Sequence, residues 1–170
     1  MKFFDIASAD AVARMGEGRC SSALGMTMLV IGKDVEVRKC NEKQSNDNGR
    51  TILIGSAKEL GSNINAALFG IIISDNVVDK ELIERVNEKE ITVFFNAAAL
   101  AGESQKERLR RAISMKRLLH YLIHKKGRIA IATFAESMED LLSSHQLIAL
   151  SRFIGADGET AKAMISYVIG

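Results

Sequence analysis

The sequence contains no proline, no tryptophan, two cysteines and only 5% aromatic residues. Cys20 and Cys40 are too few and too isolated for the disulfide framework of a small secreted domain or for a cysteine-rich zinc site. No apolar run approaches the roughly 20 residues that span a bilayer, and the first residues lack the long apolar region of a signal peptide. We therefore expect a soluble, cytoplasmic protein with no membrane partner.

The motifs of common catalytic and nucleotide-binding sites are also missing. There is no Walker A loop and no nucleophile elbow. The three histidines are His120, His124 and His145. His120 and His124 have a spacing that helical metal ligands use, but lysine and arginine surround them and no acid or cysteine lies at motif distance. We predict no metal site, no cofactor and no catalytic residue in this chain.

Three polar residues stand at predicted strand ends, where α/β proteins place their sites. They are Asp5, Asp75 and Asn96. Aspartate and asparagine at such positions more often cap a helix or close a turn. We therefore predict a structural role for all three.

Continuous apolar runs alternate with segments of helical periodicity along the chain. Such runs are typical of strands buried on both faces, and they predict a mostly parallel sheet. The predicted strands are 2–6, 26–32, 34–40, 50–57, 71–74, 91–96 and 128–135. The predicted helices are 9–15, 58–70 (interrupted near Gly61 and closed by Gly70), 75–90, the basic segment 106–128, 145–155 and 158–169.

Some details of this layout stay open. Segment 34–40 is predicted as an edge strand or as one arm of a hairpin that bends at Gly32, 16–25 as a breaker-rich segment with a short helical turn, and 41–49 as a polar loop. The 170 residues are enough for one core, so we predict a single α/β domain, 1–170. Its strands could form a doubly wound sheet or a small (β/α) barrel of the TIM type that need not be complete.

Positive charge is concentrated between residues 106 and 128. This segment holds nine of the 23 Lys and Arg residues but one of the 21 acids, so its formal charge is +8 and the rest of the chain carries −6. Helical spacing aligns Lys106, Arg110, Arg117 and His124, which we call the cationic ridge. The predicted apolar side consists of Leu109, Ala112, Ile113, Met115, Leu119, Leu122 and Ile123.

A basic face on a mildly acidic body is typical of a polyanion-binding protein. Lys116 lies at the edge of the predicted apolar side, so it must extend past its neighbours or point at a ligand. Tyr121 and Phe134 are the only aromatic residues near the ridge, which favours phosphate contacts and shape recognition over base stacking. A solvated amphipathic helix without a ligand is the simpler alternative.

The C-terminal half resembles the protein component 3 family of ribonuclease P, which archaeal and eukaryotic enzymes share. The resemblance covers residues 91–169. It is carried by ITVFFN, the basic helix with Arg111, Lys116, Arg117 and Leu118–Leu119, RIAIATFAES, QLIALSRFIG and ETAKAMIS. The last motif contributes Ala161–Lys162 and Ser166. Gln146 stands where members carry Asp, and Leu142 and Ser144 stand where they carry Arg and Pro.

This resemblance implies a (β/α) barrel of the TIM type that does not cleave RNA itself. The RNA subunit of ribonuclease P holds the catalytic Mg²⁺ and removes the 5′ leader of precursor tRNA. The expected partners are ribonuclease P RNA, precursor tRNA and protein component 2. The expected RNA-binding residues are Arg108, Arg110, Arg111, Lys116, Arg117, Lys125, Lys126 and Arg128, with Lys162 added by the family match.

Two other functions stay open at this level. A metal-dependent phosphoesterase of a related barrel type would need several His and Asp ligands at strand ends. None of the three histidines lies on a predicted strand. A purely protein-binding module is the other alternative.

Overall fold

The structure is a computed structural model, and it describes residues 3–15, 26–42, 50–65, 67–100 and 104–166. The strands are β1 (Phe3–Ala7), β2 (Met26–Val30), β3 (Val35–Lys39), β4 (Arg50–Gly55), β5 (Leu68–Ile73), β6 (Thr92–Asn96) and β7 (Ile129–Ala132). The helices are α1 (Ala9–Met15), α2 (Ala57–Asn63), α3 (Lys80–Glu88), α4 (Gln105–His124), α5 (Ser144–Phe153) and α6 (Gly158–Ser166). Short 3₁₀ turns lie at Ala98–Leu100 and Met138–Asp140.

All strand pairs between these elements are parallel, which confirms the predicted α/β class. Five strands form one sheet in the order β3-β4-β5-β6-β7, and β1 pairs with β2 in a second sheet. Isolated bridges join Ala7 to Ala135 and Ile31 to Val35. These bridges lie at the two edges of the five-stranded sheet, so the described strands have the arrangement of an incomplete barrel.

Both faces of β4, β5, β6 and β7 are largely buried, as the continuous apolar runs predict, whereas the edge strand β3 is mostly half-buried. An inner cluster takes side chains from every described strand, and Phe94 of β6 lies within it. Residues that alternate with these, such as Val93 and Phe95, belong to an outer cluster with the helices. The interior is therefore filled by side chains and is not a pore, as in barrels of this type.

Gly70 lies inside β5, which corrects the predicted helix 58–70. α2 ends at Asn63 and passes through Gly61 without interruption. A Cβ at Gly70 would overlap the ring of Phe94, whose centroid lies 5.6 Å from that of Phe69 and 5.9 Å from that of Phe134. Glycine is needed in this strand because an aromatic ring occupies the space of its side chain.

The hairpin alternative for residues 34–40 is wrong. The bridge between Ile31 and Val35 is parallel rather than antiparallel, and β3 is an edge strand parallel to β4. Gly32 lies in the turn before it with φ +85°, a conformation that glycine adopts without strain. The predictions for 16–25 and for most of 41–49 lie outside the described residues. No helix in the described segments is long and apolar enough to cross a bilayer.

Candidate nucleic-acid interface

The basic helix α4 begins with a capping box. The Ser104 hydroxyl accepts a hydrogen bond from Glu107 N at 3.4 Å, and the Glu107 carboxylate accepts one from Ser104 N at 3.2 Å. These bonds satisfy backbone donors that a helix start leaves unpaired. The Ser104 hydroxyl also donates to the Glu107 carboxylate, and this bond, followed by the one from Ser104 N, lowers the pKa of Glu107, with smaller contributions from Arg110 and Arg111. The only acid of the basic segment is therefore engaged at the start of the helix.

The C-terminal end of α4 is followed by a residue in the left-handed conformation. Lys126 has φ 55°, and Gly127 N donates to Leu122 O at 2.9 Å. A left-handed residue just after the last turn is a common way to end a helix. α4 therefore spans 20 residues, which is about 30 Å.

One face of α4 packs on the outer cluster. Its buried residues are Ala112, Met115, Leu118, Leu119 and Leu122. Lys106, Arg110, Arg117 and His124 are all exposed. At 100° per residue these four point away from the buried set. The predicted cationic ridge is therefore present, and it faces solvent opposite the core.

Eight of the nine expected RNA-binding residues lie on α4 or just after it. Arg108, Arg110, Lys116, Arg117, Lys125, Lys126 and Arg128 are exposed, while Arg111 is half-buried. Lys162 is also exposed but lies on α6. There it lines a depression of about 490 Å³ together with Arg152, Asp157 and Glu159. This mixed-charge depression is a different surface from the ridge.

Lys125 and Arg128 have acidic partners among the described residues. Lys125 Nζ lies 3.4 Å from Glu84 Oε1, and Arg128 Nη2 lies 2.7 Å from Glu90 Oε2. Arg128 also donates to the Glu90 carbonyl at 3.0 Å. Within the described residues, no ion pair involves Arg110, Arg117 or Lys116. Lys125 and Arg128, just after α4, are therefore paired, whereas Arg110, Lys116 and Arg117 keep their charge available along the helix.

A small polar cleft adjoins the first half of α4. Its volume is about 280 Å³, and it is lined by Ser74, Asp75, Asn76, Glu107, Arg110, Arg111 and Ser114. Asp75 accepts hydrogen bonds from Ala57 N and Val77 N, both at 3.3 Å. Asp75 thus holds the start of α2 and its own turn, as predicted for a residue at a strand end.

The other two predicted strand-end residues are also structural. Asn96 is the last residue of β6, but Asp5 lies in the middle of β1 rather than at its end. Asn96 accepts from Ala99 N at 3.3 Å. Asp5 is fully buried and accepts from Thr133 N at 2.6 Å, from Ile6 N at 2.8 Å and from the Thr133 hydroxyl. Burial raises the pKa of Asp5 to about 6, although the Thr133 and Ile6 hydrogen bonds lower it. Asp5 thereby connects β1 to the segment that follows β7.

Three residues of the predicted apolar side are not in the core. Leu109, Ile113 and Ile123 are 57%, 45% and 40% exposed. All three lie on one flank of α4, between the buried face and the ridge. Lys116 lies on the same flank, with its side-chain carbons against Gly155. In the sequence, only the polar residues that separate Leu109, Ile113 and Ile123 indicated that these three side chains are exposed.

The described residues contain no group of three or more His, Cys, Asp or Glu side chains that could hold a metal ion. His120 and His124 are exposed on α4, and together with Ile113, Lys116, Tyr121 and Gly155 they line a shallow concavity of about 680 Å³. The chemistry that this surface offers is positive charge, hydrogen-bond donors and aliphatic side chains.

Comparison with known proteins gives one informative result. No family model and no curated protein sequence matches the chain. A solved structure described as "cryo-EM structure of archaeal Ribonuclease P with mature tRNA" contains a chain of similar fold. The TM-score is 0.58 and the identity 13%, over 95% of this chain and 86% of that chain. At this identity the comparison establishes a shared α/β fold that extends over almost the whole chain.

Proposed function

We propose that this chain is a non-catalytic protein subunit of ribonuclease P, of the component 3 type. It would bind and support the RNA that removes the 5′ leader of precursor tRNA. The observation that carries the proposal is the cationic ridge on the solvent face of α4. Arg110 and Arg117 are exposed there and have no ion-pair partner within the described residues. Cations of this kind gain most from contact with phosphates.

The comparison supports the same function. The similar fold comes from a ribonuclease P structure that contains tRNA, and the sequence motifs of residues 91–169 resemble the component 3 family. The partners would be ribonuclease P RNA, precursor tRNA and protein component 2, and Mg²⁺ would be held by the RNA. The protein's part is electrostatic, because arginine and lysine reduce phosphate repulsion in a folded RNA.

Reconstitution tests this function. The full chain is mixed with protein component 2 and ribonuclease P RNA, and cleavage of precursor tRNA is measured as Mg²⁺ is lowered. We expect the chain to extend cleavage to lower Mg²⁺, because protein cations replace part of the screening by Mg²⁺. A variant with Lys106, Arg110 and Arg117 changed to Ala should lose most of this gain. Cleavage that is the same with and without the chain would contradict the proposal.

The metal-dependent phosphoesterase alternative gains no specific support from the geometry. Asp5, Asp75 and Asn96 each hold neighbouring backbone groups. Hydrolysis of a phosphoester by the purified chain in the presence of Mn²⁺ or Zn²⁺ would favour that alternative over the RNA-supporting role.

A further inference from the structure

The exposed aliphatic residues of α4 follow a regular spacing. Leu109, Ile113, Lys116, His120 and Ile123 are separated by four, three, four and three residues. This is the spacing of the seam at which two helices pack side by side. We call these five residues the seam. All five are exposed. The carbons of Lys116 lie against Gly155, but the described elements leave about half of the surface of Leu109, Ile113 and Ile123 uncovered.

We propose that the seam docks an acidic amphipathic helix of a partner protein. This inference concerns a second surface on the helix whose ridge carries the proposed function, and it does not require that the ridge binds RNA. RNA offers phosphates to lysine and arginine, but its backbone gains little from covering leucine and isoleucine. Exposed aliphatic side chains at helical spacing are typical of grooves that bind the apolar face of another helix.

The charge around the seam indicates that the partner helix is acidic. Between Arg108 and His124, α4 contains no acidic residue, and α5 contains none either. Lys116 and His120 occupy the middle of the seam, where a facing helix would bury them in part. A partner with Asp or Glu opposite these two positions would satisfy them, whereas an uncharged or basic helix would leave them unpaired.

A second copy of this chain does not fit the seam. Lys116 is the central residue of the five, so pairing that aligns the whole seam, parallel or antiparallel, places Lys116 against Lys116. Arg117, next in sequence, adds further repulsion in either orientation. The shallow concavity beside the seam is lined by Ile113, Lys116, His120 and Gly155 together with the ridge residues Arg117 and His124. It offers space for a helix of another protein, which would border the ridge.

The test uses synthetic peptides and the full chain. The acidic peptide has 20 residues, the length of α4, with leucine at the seam-facing positions, glutamate opposite Lys116 and His120, and further glutamates at the borders. One control peptide replaces the leucines by serine and keeps the charge. A second control replaces the glutamates by lysine. Fluorescence anisotropy measures binding of each peptide.

We expect saturable binding of the acidic leucine peptide alone. The variant L109S/I113S/I123S should weaken it by about tenfold or more, because it removes the aliphatic contact surface. V77S is the matched control, since Val77 is 50% exposed but lies before α3, and it should bind like the parent. Circular dichroism and thermal unfolding check that both variants are folded.

Three results would overturn the inference: equal binding of the leucine and serine peptides, no effect of L109S/I113S/I123S, and no binding of the acidic peptide. A fourth would reassign the seam to RNA, namely a loss of affinity for ribonuclease P RNA in L109S/I113S/I123S as large as in K106A/R110A/R117A. Failure of the proposed function is distinguishable, because it would leave RNA binding insensitive to the ridge while the acidic peptide still binds.

Discussion

Charged groups have different surroundings in the interior enclosed by the strands and on the solvent face of α4. Inside, Asp5 is fully buried and three donors from Thr133 and Ile6 satisfy it. On α4, Arg110 and Arg117 are exposed without an ion-pair partner in the described part of the chain. Fold stability and cationic charge are therefore carried by different residues. Variants in one region should leave the other region's property unchanged.

The largest expected effect is the loss of stability on removing the side chain of Phe94. It is 2% exposed and lies between Phe69 and Phe134 in the inner cluster. F94A should lower the free energy of unfolding by about 4 kcal/mol, because it creates a cavity that the surrounding strands cannot fill. Urea unfolding measures this loss. A cost below about 1 kcal/mol would show that the inner cluster is not closely packed.

The second prediction concerns the pH dependence that Asp5 imparts. Its pKa is raised from 3.8 to about 6 in the folded protein, so the folded state binds the proton more tightly than the unfolded state. The stability that this contributes is complete below pH 3.8 and is lost as the pH rises through about 6. The shift corresponds to at most about 3 kcal/mol.

D5N isolates this contribution, because asparagine can still accept from Thr133 N and does not titrate. We expect the stability of D5N relative to the parent to rise between pH 4 and pH 7, by up to about 3 kcal/mol. Chemical unfolding at both pH values measures the difference. Parallel stability curves for the two proteins would contradict the assignment of a raised pKa to Asp5.

The third prediction tests whether the cationic ridge contacts RNA. K106A/R110A/R117A should reduce the log–log salt slope of RNA binding by up to about 2.7, since each phosphate contact contributes about 0.9 on duplex-like RNA. Filter binding over a range of salt concentrations measures the slope. K33A/K58A/K80A removes the same charge from exposed positions outside α4 and should change the slope less. Equal changes would mean that net charge, rather than the ridge, governs binding.

The smallest expected effect concerns the ion pair between Lys125 and Glu84. Both side chains are partly exposed, at 37% and 59%, so their coupling in a double-mutant cycle should be about 0.5 kcal/mol or less. The cycle uses K125A, E84A and the double variant in urea unfolding. E84A should also strengthen RNA binding slightly, because it frees Lys125. A coupling above about 1 kcal/mol would place Lys125 among the structural residues.

Much of the fold followed from local patterns in the sequence. Apolar runs predicted the described strands except β3, which followed from the alternating pattern of 34–40, and the ridge followed from the 3.6-residue period of α4. The helix predicted for 58–70 was wrong in its second half. Gly70 looked like a helix end, but it is a strand residue beside a ring that is distant in sequence. Local reasoning fails there because Phe94 lies 24 positions away in the chain.

The sequence by itself determined that this is a parallel α/β protein with its positive charge on one helix, because period and composition are local properties. Only the tertiary structure decided which residues of that helix are exposed and which cations are paired. Glu84 and Glu90 reach Lys125 and Arg128 across 41 and 38 positions. Leu109, Ile113 and Ile123 belong to the predicted apolar side but are 57%, 45% and 40% exposed, because the face that a helix buries is fixed only when it packs against the rest of the fold.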